Sequence, residues 1–176
     1  MANKWTIDPA HSSIDFTVKH MMIAKVKGTF NEFEASITGD AHDLTSASID
    51  FSIDLNSVDT RNGDRDAHLR SADFFEIEKF PKLTFKGTSI SKTGDGQYAI
   101  TGDVSLHGVT RSETFAAEFE GAGKDPWGNE KVGFSATGSL KRSDYGLTYN
   151  AVLETGGVLI GDEVKVSIEI EATAVQ

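Results

Sequence analysis

The chain contains no cysteine and three prolines in 176 residues. Without cysteine there is no disulfide, no thiolate nucleophile and no thiolate metal site. No apolar run approaches the roughly 18–20 residues that span a bilayer as a helix. The opening "MANKWTIDPAH" lacks the apolar core of a secretory signal, so the expected location is the cytoplasm. Clustered positive charge is also scarce. Lys and Arg total 17 against 27 Asp and Glu, a formal charge of −10, which argues against a nucleic-acid partner. There is no GxSxG, no P-loop and no GxGxxG opening a helix after a strand. The five histidines show no HxH, HxxxH or HExxH spacing, so no metal ligand set is read. Asp64 and His68 lie four apart, a spacing that suits a metal or an ordinary surface pair. Carboxylates occur throughout so acidic a chain that no pair is diagnostic. No residue is assigned a catalytic role, no cofactor is expected, and the chain is read as a non-enzyme.

What is present is period-two alternation. Hydrophobic residues make up 38% and charged residues 25%, the balance of a globular chain, and its length suits a single domain over 1–176. Residues 46–57 alternate most cleanly, with Ile49, Phe51, Ile53 and Leu55 on one face and Asp50, Ser52, Asp54 and Asn56 on the other. The same pattern marks 12–20, 25–38, 82–92, 96–107, 112–122, 130–142 and 162–174. A short piece at 4–7 precedes them. In 25–38 the apolar phase slips near Asn31–Glu32, which predicts a bulge or corner. "KTGDGQY" and "LHGVT" read as hairpin loops. About eight antiparallel strands predict a closed all-β barrel, the size that just holds side chains or one small ligand. Residues 60–81 break the alternation. Asn62 or Asp64 can cap a short helix to about Ser71, Ser71 can start a second turn with Phe74 and Phe75, and Pro81 ends the excursion.

Several inward positions are small. Ala136 and Gly138 follow Phe134 in phase, Gly102 follows Ile100, and Gly87 follows Phe85. Glycine in a barrel strand also marks bends and bulges. Taken together, the missing side chains predict an under-filled interior. An empty apolar cavity destabilises by about 24 cal/mol per Å³, so a filling is expected. Eleven phenylalanines make that filling apolar. Phe16, Val18, Phe30, Phe51, Ile53, Phe85, Ile100, Phe119, Phe134 and Ile168 are the candidate lining. The first strand then ends oddly. His20 falls on the apolar face, and Met21, Met22 and Ile23 follow without alternation. Soft, unbranched methionines suit an adaptable mouth. His20 could meet a polar headgroup there, or bond a backbone carbonyl as a buried histidine. Arg142 could bind a phosphate or carboxylate bidentately, or pin a turn with Asp144.

Six segments in order resemble the YceI-like family of polyisoprenoid-binding, lipocalin-like proteins. They are "WTIDPAHSSIDFTVKH", "VKGTFNEFEASI", "SVDTRNGDRDAHLRSADFFEIEKFPKLTF", "ITGDVSLHGVTRSETF", "RSDYGL" and "IGDEVKVSIEIEA". Together they cover nearly the whole chain. The resemblance implies an eight-stranded lipocalin-like barrel. It implies a long apolar lumen for an isoprenoid chain, a polyprenyl phosphate or a quinone tail, carried or stored. It also implies a homodimer. Many relatives carry a secretory signal and work in the periplasm, and this chain departs from them there. A fatty acid or fatty amide, or a packed stress-response barrel without a ligand, are the other readings of the same pattern.

Overall fold

A computed structural model describes residues 3–150 and 159–175. The strands in chain order are β1 (Asn3–Ile7), β2 (Ser13–His20), β3 (Ala24–Phe30), β4 (Phe33–Asp40), β5 (Asp43–Asp54), β6 (Val58–Asp59), β7 (Lys82–Gly94), β8 (Gln97–Leu106), β9 (Val109–Lys124), β10 (Glu130–Lys141) and β11 (Ile160–Ala174). One α-helix, α1 (Gly63–Arg70), interrupts them.

The pairing is antiparallel throughout, and eight strands close the ring: β1, β4, β5, β7, β8, β9, β10, β11 and back to β1. The two hairpin halves β2 and β3 extend the wall lengthwise. The last strand makes this possible. Its C-terminal half pairs with β1, as in Trp5 opposite Ala174, and its N-terminal half pairs with β2, as in Ile168 opposite Ile14. The phase slip at Asn31–Glu32 is the break between β3 and β4, as the alternation predicts.

The connections set two unlike ends. Tight turns gather at one end: Ala41–His42, Asp95–Gly96 and 125–129. Trp5, Leu44, Tyr98 and Val132 are buried there. The other end receives the β2–β3 tip, residues 55–81, the His107–Gly108 turn and residues 142–150 after β10. Both residues of that His107–Gly108 turn have positive φ, which glycine accepts readily and histidine does not. Asn62 caps α1 by accepting from the Arg65 N–H at 3.0 Å. Leu55, Val58, Tyr145 and Leu147 are buried under this excursion. Two apolar plugs therefore bound the tube, and the space between them is the lumen.

Candidate functional site

Between the plugs lies an apolar cavity of about 140 Å³. Strands from all around the ring contribute to it. Phe16, Phe30, Phe51, Ile53, Phe85, Ile100, Phe134 and Ile168, eight of the ten candidate residues, line it. Asp15 and Ser135 also touch it, although both lie in the outward phase of their strands, where the Ser135 hydroxyl donates to Glu120 at 2.6 Å. All the other lining side chains are hydrocarbon. Many, including Phe16, Phe51, Phe85 and Ile168, are only half-buried although they point inward.

The glycines do not leave simple gaps. Phe16 faces Gly28 across β2 and β3, and its ring lies where a Gly28 side chain would be, 2.3 Å from an ideal Cβ. The Phe85 ring does the same over Gly102, at 2.5 Å, and the Phe115 ring over Gly138, at 2.4 Å. Gly87 abuts the Ile49 carbonyl instead, at 3.0 Å. Gly28, Gly102 and Gly138 are thus recesses that each take a ring into the wall. The expectation of vacancy at each glycine is corrected in detail: the open volume comes from rings laid flat against the wall rather than thrown across the tube.

Val18 and Phe119 stand outside the lining. Val18 pairs with Val26 and Val164, further along β2 than the cavity reaches. Phe119 stacks on Phe134 with centroids 5.2 Å apart and packs into the plug around Trp5. The alternation has both on the inward face, and depth along the strand separates them from the lumen.

The expected mouth group lies elsewhere too. The cavity touches β2 at Ile14, Asp15 and Phe16. His20 is four residues beyond, roughly 13 Å along an extended strand. It is half-buried and pairs with Ile160 and Ala24. Met21, Met22 and Ile23 are exposed at the β2–β3 tip, so the apolar clump neither caps the core nor lines the cavity.

Arg142 is corrected in the same way. Its side chain is buried, 7% exposed, and each of its three nitrogens donates to a backbone carbonyl. Nε donates to the Gly161 carbonyl at 2.9 Å, one Nη to Leu147 at 2.6 Å and the other to Ile160 at 3.3 Å. Burial lowers its pKa from the ordinary value, and Asp162 opposes this. The guanidinium staples the turn after β10 to the start of β11. Asp144 does not pair with it and instead lies 3.7 Å from Arg111. Next to this staple, Tyr145 is fully buried. Burial first, then the Glu113 carboxylate, pushes its hydroxyl well up.

Three histidines meet carboxylates away from the lumen, one of them His107, whose Nε2 lies 3.6 Å from Glu76. His68 bonds Asp73 at 2.9 Å, not Asp64. His11 Nδ1 lies 2.8 Å from Asp8 and 3.1 Å from Glu171, tying the β1–β2 corner to β11. The Asp8 hydrogen bond, then the charge of Glu171, hold His11 above its ordinary value. Sequence spacing could not find this trio, because Glu171 arrives through barrel closure. The overlooked lining residues were within reach. Val166 shares its phase with Ile168, and Phe115 with Ala117.

Comparison with known proteins agrees with this geometry. A family model described as a YceI-like domain matches residues 5–172. A UPF0312 protein of Staphylococcus aureus is 40% identical over 168 residues, 95% of each chain. Two solved structures share the fold. BcnA of Burkholderia cenocepacia superposes with a TM-score of 0.83 at 23% identity, over 95% of this chain and 99% of that one. A polyisoprenoid binding domain from Saccharophagus degradans, implicated in plant cell wall breakdown, gives a TM-score of 0.71 at 17% identity, over 97% and 98%.

Proposed function

The chain belongs to the YceI-like family, and from that premise we propose that it binds a long-chain isoprenoid lipid in its lumen, for carriage or storage, without chemistry on the lipid. The observation that carries this reading is the hydrocarbon lining of the cavity between the two apolar plugs. The solved Saccharophagus degradans relative, itself a polyisoprenoid binding domain, supports the ligand class.

The energetics suit a tail-driven binder. Burying a CH₂-sized group contributes about 0.8 kcal/mol, so a five-carbon isoprene unit contributes roughly 4 kcal/mol before ordering costs. A few units therefore suffice, and no charged anchor is required. The cavity of about 140 Å³ is close to the size of an engineered cavity of about 150 Å³ that admits benzene. It holds about one such unit as it stands. A longer tail enters by turning the rings of Phe16, Phe85 and Phe115, which line the tube and rest on glycine recesses.

Native mass spectrometry of the protein purified from its own host tests the proposal. A stoichiometric adduct that yields a polyprenyl or isoprenoid quinone species on extraction supports it. An adduct of fatty acid or fatty amide replaces the ligand class. An apo mass that persists after addition of a polyprenyl phosphate overturns lumen binding and leaves a packed barrel.

A further inference from the structure

The tip of the β2–β3 hairpin holds its apolar residues outside the fold. Ile23 is 85% exposed, Met22 62% and Met21 42%. Met21 and Met22 both occupy the left-handed region, with φ of 53° and 61°, which side chains of their kind rarely adopt. The backbone enforces this shape. The Ile23 N–H donates to the His20 carbonyl at 3.3 Å, and the Met21 N–H donates to the Leu159 carbonyl at 2.7 Å. The tip is pinned, with three hydrocarbon side chains turned to solvent.

Directly below the tip the charge is positive, against the −10 of the whole chain. Lys19 and Lys25 face each other across the hairpin, and Lys27 follows on β3 opposite Thr17. Thr17 also faces Lys165 of β11. These four lysines are exposed, and none forms an ion pair with a described residue. Of the nearby carboxylates on β11, Asp162 is engaged by Ser143 at 2.7 Å, and Glu163 lies opposite Lys141.

We propose that this tip docks the protein on an anionic phospholipid bilayer, with Met21, Met22 and Ile23 entering the acyl boundary and the lysines meeting the head groups. An apolar tip above a basic collar is the arrangement that interfacial binding needs. Unbranched methionine packs against disordered chains without a fixed partner shape, and the lysine stems reach from apolar depth to the charged layer. Each lysine near such a surface multiplies partitioning about fivefold. A second copy of this chain fits less well. A two-fold contact would set the lysines against their own copies, and three residues fall far short of the roughly 800 Å² per partner of a stable interface. Docking stands apart from the lumen reading, since no tip residue lines the cavity.

Flotation of the full chain with phosphatidylcholine vesicles containing about 30% phosphatidylglycerol tests the proposal. The chain floats at low salt, and stays behind with phosphatidylcholine alone or in about 1 M salt, where the screening length falls to about 3 Å. Ile23→Asp weakens binding at least tenfold, and Lys19→Glu with Lys25→Glu weakens it at least as much. Trp127→Asp, at the opposite end beside Asp125 and Glu130, leaves it unchanged. Circular dichroism and melting curves confirm that the variants fold, and lumen occupancy is read separately by mass spectrometry. The proposal is overturned by a chain that does not float, by flotation indifferent to Ile23→Asp, or by a dimer that Ile23→Asp dissolves without any flotation.

Discussion

The Phe115 ring rests on the backbone of Gly138, and a methyl group at that glycine would fall 2.4 Å from ring carbon Cδ1. Phe115 comes from β9 and Gly138 from β10, at a height where the two strands are no longer paired, since their ladder ends at Ala116 opposite Thr137. The ring covers the seam. Gly138→Ala drives it into the lumen. The expected cost is about 1–3 kcal/mol, the usual range for overpacking, with reduced lipid uptake. Urea denaturation and native mass spectra of the variant measure both. Unchanged stability would mean that the ring has room to turn freely.

Ala136 lines the cavity from β10. Ala136→Trp fills the tube with an indole. The expected result is loss of the lumen adduct by at least tenfold, with a stability cost of about 1–3 kcal/mol. The adduct-to-apo ratio in native spectra is the readout. An adduct that survives this change is bound somewhere other than the lumen.

Arg142 separates a structural role from headgroup binding. Its planar fork serves the carbonyls of Leu147, Ile160 and Gly161 together. Lysine has no such fork. Arg142→Lys takes the guanidinium donors from the Leu147 and Gly161 carbonyls, while Ile160 keeps the Asn150 amide, and about 2–3 kcal/mol of stability is expected to go. Lipid occupancy per folded molecule stays the same. A selective loss of phosphate-bearing lipids, with stability intact, would restore the headgroup role.

The trio at the β1–β2 corner makes stability depend on pH. His11 has its folded-state pKa raised above the ordinary 6.5 by Asp8 and Glu171. Its contribution is therefore complete below about pH 6.5 and is lost as pH rises through the folded value. His11→Ala should flatten the decline in the urea midpoint between about pH 6 and pH 9. An unaltered slope would assign the decline to another group. Asp8 moves the opposite way, held below its usual range by the His11 hydrogen bond. Its share is lost only as pH falls through that lowered value.

Much of the barrel was legible in local pattern. Ile49, Phe51 and Ile53 alternate on β5 and all three reach the cavity. The slip at Asn31–Glu32 and the Asn62 cap are local signals, and both are found. Alternation reports which face a residue takes but not how deep along the axis it sits. Val18 and Phe119 fall outside the lumen for that reason. Arg142 was ambiguous because its carbonyl partners lie up to 19 residues away. The ring-on-glycine pairs escaped notice because each joins two strands, and no one-strand pattern contains them. Met21 and Met22 look like a core clump in one dimension. Only the turn geometry shows them facing out.

Closure through β11 has a kinetic meaning. Trp5, in the first strand, is opposite Ala174, in the last. The ring cannot be completed until almost every residue has been synthesised. Until then the emerging chain presents two open sheet edges and a bare hydrocarbon inner face. Such long-range pairing slows folding and leaves intermediates prone to aggregate.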